Sequence, residues 1–234
     1  IGKEIFGGTG RNFLNPALTG RAFLYFAYPV QQSGDAVWRA VVDTGGATVD
    51  AVSSATPLAV AAVAPSDPAV AETLSAAGYD WTTLFFGLYP DSIGASSTFL
   101  CLLAGVFLIV VGVASYRIIV GTLLGTLVMG LVLNLAAGPD SAAYLSLNPL
   151  YHLLMGGAAF GAVFMCTDPV SAPDLHLSRW IYGFLIGVLT VLIRVFNPAF
   201  MEGIMLAILF MNVFAPLIDY TVVRARLKRR ISNA

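Results

Sequence analysis

The residues in this chain best suited to chemistry form one short run, Asp50-Ala51-Val52-Ser53-Ser54-Ala55-Thr56, followed at once by Pro57. A hydroxyl among such small neighbours is open to a bulky reagent, and Asp50, six positions upstream, can orient or recruit one. Two readings fit. Thr56 is a modified residue, or it is the N-cap of a helix whose first residue is Pro57. A second kind of candidate is the acid at the edge of an apolar run, which is costly beside a membrane helix and therefore a functional candidate. Asp219 is one, as part of a cation path for Na⁺ or as a plain charge neighbour of Arg224. Asp168, between Thr167 and Pro169, suits turn initiation or helix capping. No catalytic constellation accompanies them. His152 and His176 have no Cys, Glu or Asp at ligand spacing, and Cys101 and Cys166 lie in apolar runs where a thiol behaves as a small hydrophobe.

The elements that must position these residues are those of a membrane protein. Hydrophobic residues make up 58% of the 234 and charged ones 11%, against about 25% charged in soluble domains, and the mean hydropathy is +0.83. With a net charge of −1 there is no electrostatic case for nucleic acid. Beginning without Met, the chain reads as part of something longer.

Four parts follow from the pattern. Residues 1–28 are a Gly-rich segment and a short apolar helix from Leu14, with Asn15 as N-cap and Pro16 at the first helical position. Residues 29–94 are a long, weakly hydrophobic connection with short helices expected around 57–64 and 68–78. Residues 95–223 hold five apolar segments, Ser97–Ser115, Ile118–Ala137, Leu150–Met165, Trp180–Val195 and Gly203–Val223, expected as a transmembrane bundle. Residues 224–234 are a basic tail. The fold class is thus an all-α polytopic membrane protein with about five or six crossings. Positive charge sets the orientation: the tail is cytoplasmic, Arg117, Arg179, Lys3 and Arg11 agree, and Arg39 and Arg194 dissent. The connection carrying Thr56 then lies on the far, periplasmic face. Gly121–Gly125 and Gly156–Gly161 are small-residue faces for close helix packing.

Several stretches resemble one known family. The run ending at Thr56 is similar to the Asp-x-x-Ser/Thr-Gly-Ala-Thr signature at which a flavin transferase attaches FMN through a phosphoester, with Ser54 in the usual Gly position. Gly7–Thr19, Ser33–Trp38, Thr167–Ala172 and Arg194–Ala199 resemble the NqrB/RnfD family, and within it the NqrB membrane subunits of sodium-translocating NADH:quinone reductases. The likeness runs over essentially all 234 residues but only the C-terminal portion of such a protein. The resemblance implies half of a two-repeat fold like that of urea transporters, in a bacterial inner membrane. It implies covalent FMN on Thr56 beside Ser53, Ser54 and Asp50, and a non-covalent riboflavin for which Asn12, Asn15 and Thr19 could pair with the ring edge or ribityl chain. Asp168 faces the side where that second flavin could sit. Partners implied are the other subunits of the complex, ubiquinone, Na⁺ and, for maturation, the flavin transferase. Two rivals stand beside this reading. One is the Rnf counterpart, with ferredoxin or NAD as electron partner. The other is a flavin-free channel or permease in which Thr56 merely caps a helix.

Overall fold

Two long helices can lie backbone to backbone only where neither carries a side chain at the crossing, and that condition sets the centre of this molecule. In the computed structural model, which describes residues 2–29, 31, 37–40, 51–64, 70–89, 91–92, 94–138, 143–197 and 202–232, α6 (Tyr116–Ala136) packs along α9 (His176–Phe196). Gly121 and Gly125 of α6 meet Gly183 and Gly187 of α9. A Cβ on Gly125 would overlap the carbonyl oxygen of Phe184, and one on Gly187 that of Thr122. Residue numbers rise together along this contact, so the helices run parallel. Such small-residue contacts replace the hydrophobic effect as the cohesive force between helices in lipid. Thr122, Thr126 and Thr190, buried at the same interface, donate their hydroxyls to the carbonyls of Ile118, Thr122 and Ile186, so no hydroxyl proton is stranded there. Gly187→Leu is expected to cost the upper end of about 1–3 kcal/mol, since a backbone carbonyl cannot give way as a side chain can. Thermal unfolding in detergent, with Gly138→Ala as a control at an open position, checks this.

Among the described residues, three helices are long and apolar enough to cross a membrane: α6, α9 and the Ile204–Arg229 part of α10 (Ile204–Ser232). Each of the first two has 21 residues, a rise of about 32 Å against a hydrocarbon core of about 30 Å. The molecule is a helical, polytopic membrane protein, and two of the five apolar segments expected after residue 95 are shorter or broken helices. α5 (Thr98–Val110) has 13 residues because the chain turns at Gly112, whose φ of +82° ends the helix. The Leu150–Met165 segment is broken. α7 (Tyr151–Leu154) ends at Met155, Gly156 and Gly157 follow with φ near +63° and +62°, and α8 (Ala158–Phe160) runs into a π-turn over Gly161–Met165. Gly156 and Gly157 therefore break the helix; Gly156 is also packed closely, against Leu58, and Gly161 against Ile204. α1 (Pro16–Ala27) spans about 18 Å and lies against α10.

The connection before residue 95 shares a buried core with the 144–155 stretch. α2 (Pro57–Ala62), α3 (Val70–Ala76) and α4 (Trp81–Phe86) carry Leu58, Val70, Leu74 and Leu84, all buried together with Tyr79, Tyr89, Tyr144, Leu147 and Tyr151. The first two helices fall where the sequence places them. To the all-helical expectation the structure adds a two-stranded antiparallel ribbon, β1 (Val37–Ala40) and β2 (Ala51–Ser54), with Val37 opposite Ser54 and Trp38 opposite Ser53. Large apolar side chains of α5, among them Leu103, Val106, Phe107 and Val110, face outward, as a lipid-facing surface requires.

Candidate functional site

Thr56 stands where β2 ends and α2 begins. Its backbone is extended (φ −68°, ψ 158°), Pro57 supplies the first helical residue, and its Oγ accepts the N–H of Ala59 at 3.3 Å. The capping reading of this position is therefore correct as geometry. It does not consume the hydroxyl: the oxygen acts as acceptor, its proton is donated to no described residue, and the side chain is half-buried and reachable. The chain on either side is held. Tyr79 donates its hydroxyl to the carbonyl of Ala55 at 2.6 Å, and Leu58, 2% exposed, lies on Gly156 where any Cβ would collide with it. Ser53 and Ser54 end β2, separated from Thr56 by Ala55. Asp50 lies outside the described residues.

Beneath this platform is a group that in the sequence has the look of a charge at a helix end. Arg194, 1% exposed near the C-terminus of α9, donates from Nε to the carbonyl of Glu202 (3.0 Å). Its Nη1 serves the carbonyl of His152, and Nη2 those of Met155 (2.9 Å) and Gly156 (3.3 Å). The break at Gly156-Gly157 frees those carbonyls from helical partners, and a guanidinium can satisfy several at once because its five N–H groups fan out in one plane. The carbonyl of Leu154 is taken by the hydroxyls of Tyr89 and Thr98, each at 3.4 Å. Arg194, the glycine break and α2 thus form one continuous packed unit: Leu58 and the guanidinium both abut Gly156. His152 is buried beside it, its ring edge-on to Tyr144, with Nδ1 unpartnered. Close by, Arg21 of α1 forms an ion pair with Glu202. The available signal for all this was a charge inside an apolar run together with a Gly-Gly pair; which carbonyls the charge serves was not visible.

The other candidates lie apart from Thr56. Asn15 caps α1, its Oδ1 accepting the N–H groups of Ala17 (3.0 Å) and Leu18 (3.3 Å), while its amide reaches the carbonyl of Met165 at 3.5 Å. Asn12 donates to the carbonyl of Leu14, and the Thr19 hydroxyl donates to that of Asn15. These three are brought together, and all three serve the start of α1. Asp168 accepts the Ser171 hydroxyl at 2.6 Å and starts a turn.

Asp219, on α10, accepts the backbone N–H groups of Asp174 (2.9 Å) and Leu175 (3.3 Å), so it caps the start of α9 from another helix. Among the described residues no cluster of three or more acidic, His or Cys side chains surrounds it. Asp219→Ala is expected to cost about 1 kcal/mol, the usual worth of an N-cap, and Asp219→Asn a few tenths. A carboxylate that meets a cation would instead make Asn as damaging as Ala, so the unfolding temperatures of the two variants with and without Na⁺ separate the roles.

These contacts set Thr56 and the basic tail at opposite ends of the bundle. Leu58 meets the unit at the C-terminal end of α9, whereas Asp219, just before the tail, meets its N-terminal end.

Comparison with known proteins gives this arrangement a family. A model described as the NQR2, RnfD, RnfE family matches residues 1–228. Three relatives share the name of the B-subunit of Na(+)-translocating NADH-quinone reductase. The chain is 50% identical over 233 residues to the one from Ectopseudomonas mendocina (strain ymp). It is 49% identical to that of Azotobacter vinelandii (strain DJ / ATCC BAA-1303), and 50% to that of Pseudoalteromonas atlantica (strain T6c / ATCC BAA-1087). Each alignment covers all of this chain and 54% of the relative, so the chain spans about half the length of these proteins. With a family model running over nearly its whole length, the chain belongs to the NQR2, RnfD, RnfE family.

Proposed function

We propose that this chain is the flavin-bearing portion of a membrane subunit of a Na⁺-translocating NADH-quinone reductase, with FMN esterified through its phosphate to Oγ of Thr56. The observation that carries the reading is the state of that hydroxyl: half-buried, with its proton free of any described acceptor, on a backbone clamped by Tyr79 and by Leu58 on Gly156. A tethered cofactor is only as well placed as its anchor, and this anchor is tied to the bundle through the Arg194 unit. FMN so held supplies one- and two-electron transfer. The residues of the chain hold and orient: Thr56 provides the bridging oxygen, β2 with Ser53 and Ser54 provides the approach, and Asp50 is the upstream acid of the run.

The relatives' names support the rest by similarity. Electrons from NADH reach the chain from a partner protein of the complex and leave toward ubiquinone, coupled to export of Na⁺, in a bacterial inner membrane. A flavin transferase installs the FMN. Thr56 is periplasmic and the tail cytoplasmic, in keeping with their separation to opposite ends of the bundle and with the positive charge of the tail. A non-covalent riboflavin beside Asn12, Asn15, Thr19 or Asp168 would have to share bonds that now cap α1 and the 168–171 turn. The names favour this reading over the Rnf counterpart.

Denaturing gel electrophoresis of the protein from a host that has the transferase tests the proposal. A flavin fluorescence band at the chain's own mass is expected. A dark band there favours the permease.

A further inference from the structure

At the end of the bundle remote from Thr56, residues 112–115, the start of α6, the Thr167–Pro173 loop and the first turn of α9 surround a cleft of about 360 Å³. Arg117 and Arg179 both line it, half-buried. Neither forms an ion pair with a carboxylate among the described residues. Arg179 donates Nε to the Pro173 carbonyl at 3.0 Å, which leaves its terminal amines for another acceptor. The guanidinium of Arg117 lies 4.5 Å from the centre of the Tyr116 ring, held over its face. Ser115 occupies the N-cap position of α6 yet makes no capping bond, and its Oγ is buried with no partner. The nearby acids are engaged or turned away. Asp168 holds Ser171, Asp219 holds the backbone of Asp174 and Leu175, the exposed Asp174 lies beyond Pro173, and none of the three lines the cleft.

Two unpaired guanidinium groups, a partnerless hydroxyl and the orphan N–H groups of a 21-residue helix's first turn all ask for an acceptor with several oxygens. Phosphate is that acceptor, because its oxygens match the fork of an arginine. One wall of the cleft is apolar, formed by Ile109, Val113 and Ile118. Phe107 and Val110, next to Ile109 of that wall on α5, are exposed apolar side chains. We propose that this cleft binds a phosphate-class anion, and that the occupant is the phosphodiester headgroup of an anionic phospholipid with its chains along α5. Basic pockets between helices at a cytoplasmic membrane edge recognise lipid headgroups in this way. The site is independent of Thr56 and of any flavin.

The test uses the full chain purified from its native membrane, delipidated in neutral detergent, with thermal unfolding followed on adding phosphatidylglycerol, phosphatidylcholine or inorganic phosphate. Phosphatidylglycerol is expected to raise the unfolding temperature at concentrations where phosphatidylcholine has no effect. The Arg117→Gln/Arg179→Gln pair is expected to need about 30-fold more phosphatidylglycerol for the same shift. If inorganic phosphate alone protects the wild type and not the pair, the anion site stands and its source is free phosphate rather than lipid. An unchanged response in the pair overturns the proposal, as does equal protection by phosphatidylcholine. Should the pair fail to fold, Ser115→Asp keeps both arginines and a good N-cap while putting a negative charge in the cleft. It must abolish the phosphatidylglycerol response, and a wild-type response in that variant overturns the proposal equally.

Discussion

Replacing Arg194 with Met is expected to destabilise the protein by about 3–5 kcal/mol, the range seen when one side of a buried charged interaction is removed. Met fills much of the same volume, so the loss would not come from a cavity. It comes from the carbonyls of His152, Met155, Gly156 and Glu202, which Arg194 now serves. The glycine break denies the first three a helical donor, and each buried carbonyl left unpaired costs about 1–3 kcal/mol. For a chain of this size a change of that order lowers the unfolding temperature by about 10 °C. Arg194→Lys is the informative companion. An ammonium keeps the charge but cannot present donors in a plane to four carbonyls, so Lys should recover less than half of the loss. If Lys matched the wild type, charge rather than geometry would be what the site requires. Because Leu58 and the guanidinium share Gly156, the damage should also spread to α2 and be seen there as faster amide exchange at Ala59 and Val60.

Thr56→Ala is expected to remove the covalent flavin completely while leaving the fold nearly intact. The cap it deletes, one 3.3 Å bond from Ala59, is worth about 1 kcal/mol, too little to unfold a protein whose buried cluster includes Leu58, Leu74 and Leu84. The two consequences therefore come apart: the flavin signal goes to zero, and the unfolding temperature moves by about 2–4 °C. Thr56→Ser restores both the cap and a hydroxyl at the same backbone position. Its unfolding temperature should return to that of the wild type, and any flavin it retains reports how strictly the attaching enzyme reads the methyl group. On the channel or permease reading, Ala and Ser differ only by the cap.

Much of this architecture could be read from local pattern. The cap at Thr56, the cap at Asn15, the short helices after Pro57 and the glycine face of α6 each depend on residues within one or two turns, where side-chain type and spacing decide the outcome. What escaped depends on partners distant in sequence. Arg194 looked like an exception to the positive-inside pattern because its acceptors lie about forty residues back, in a segment whose own break had to be known first. Gly156 and Gly157 looked like a continuous helical face, since spacing alone does not show that a glycine also takes positive φ and breaks the helix. Asp219 was readable as a carboxylate for an ion or as a charge neighbour of Arg224, and its bonds to the N–H groups at the start of another helix could not be seen from spacing. The β1–β2 ribbon was hidden because four-residue strands of mixed polarity carry almost no periodicity.

The central claim concerns one oxygen atom, and the mass of the peptide that contains it is its most direct test. No Lys or Arg lies between Arg39 and Arg117, so chymotrypsin suits better than trypsin, and the peptide carrying residue 56 can be fragmented to place any addition. With protein from cells that possess the flavin transferase, the account predicts an added mass of about 438 Da, FMN less one water, on Thr56 and on neither Ser53 nor Ser54. An unmodified Thr56 in that protein would contradict it.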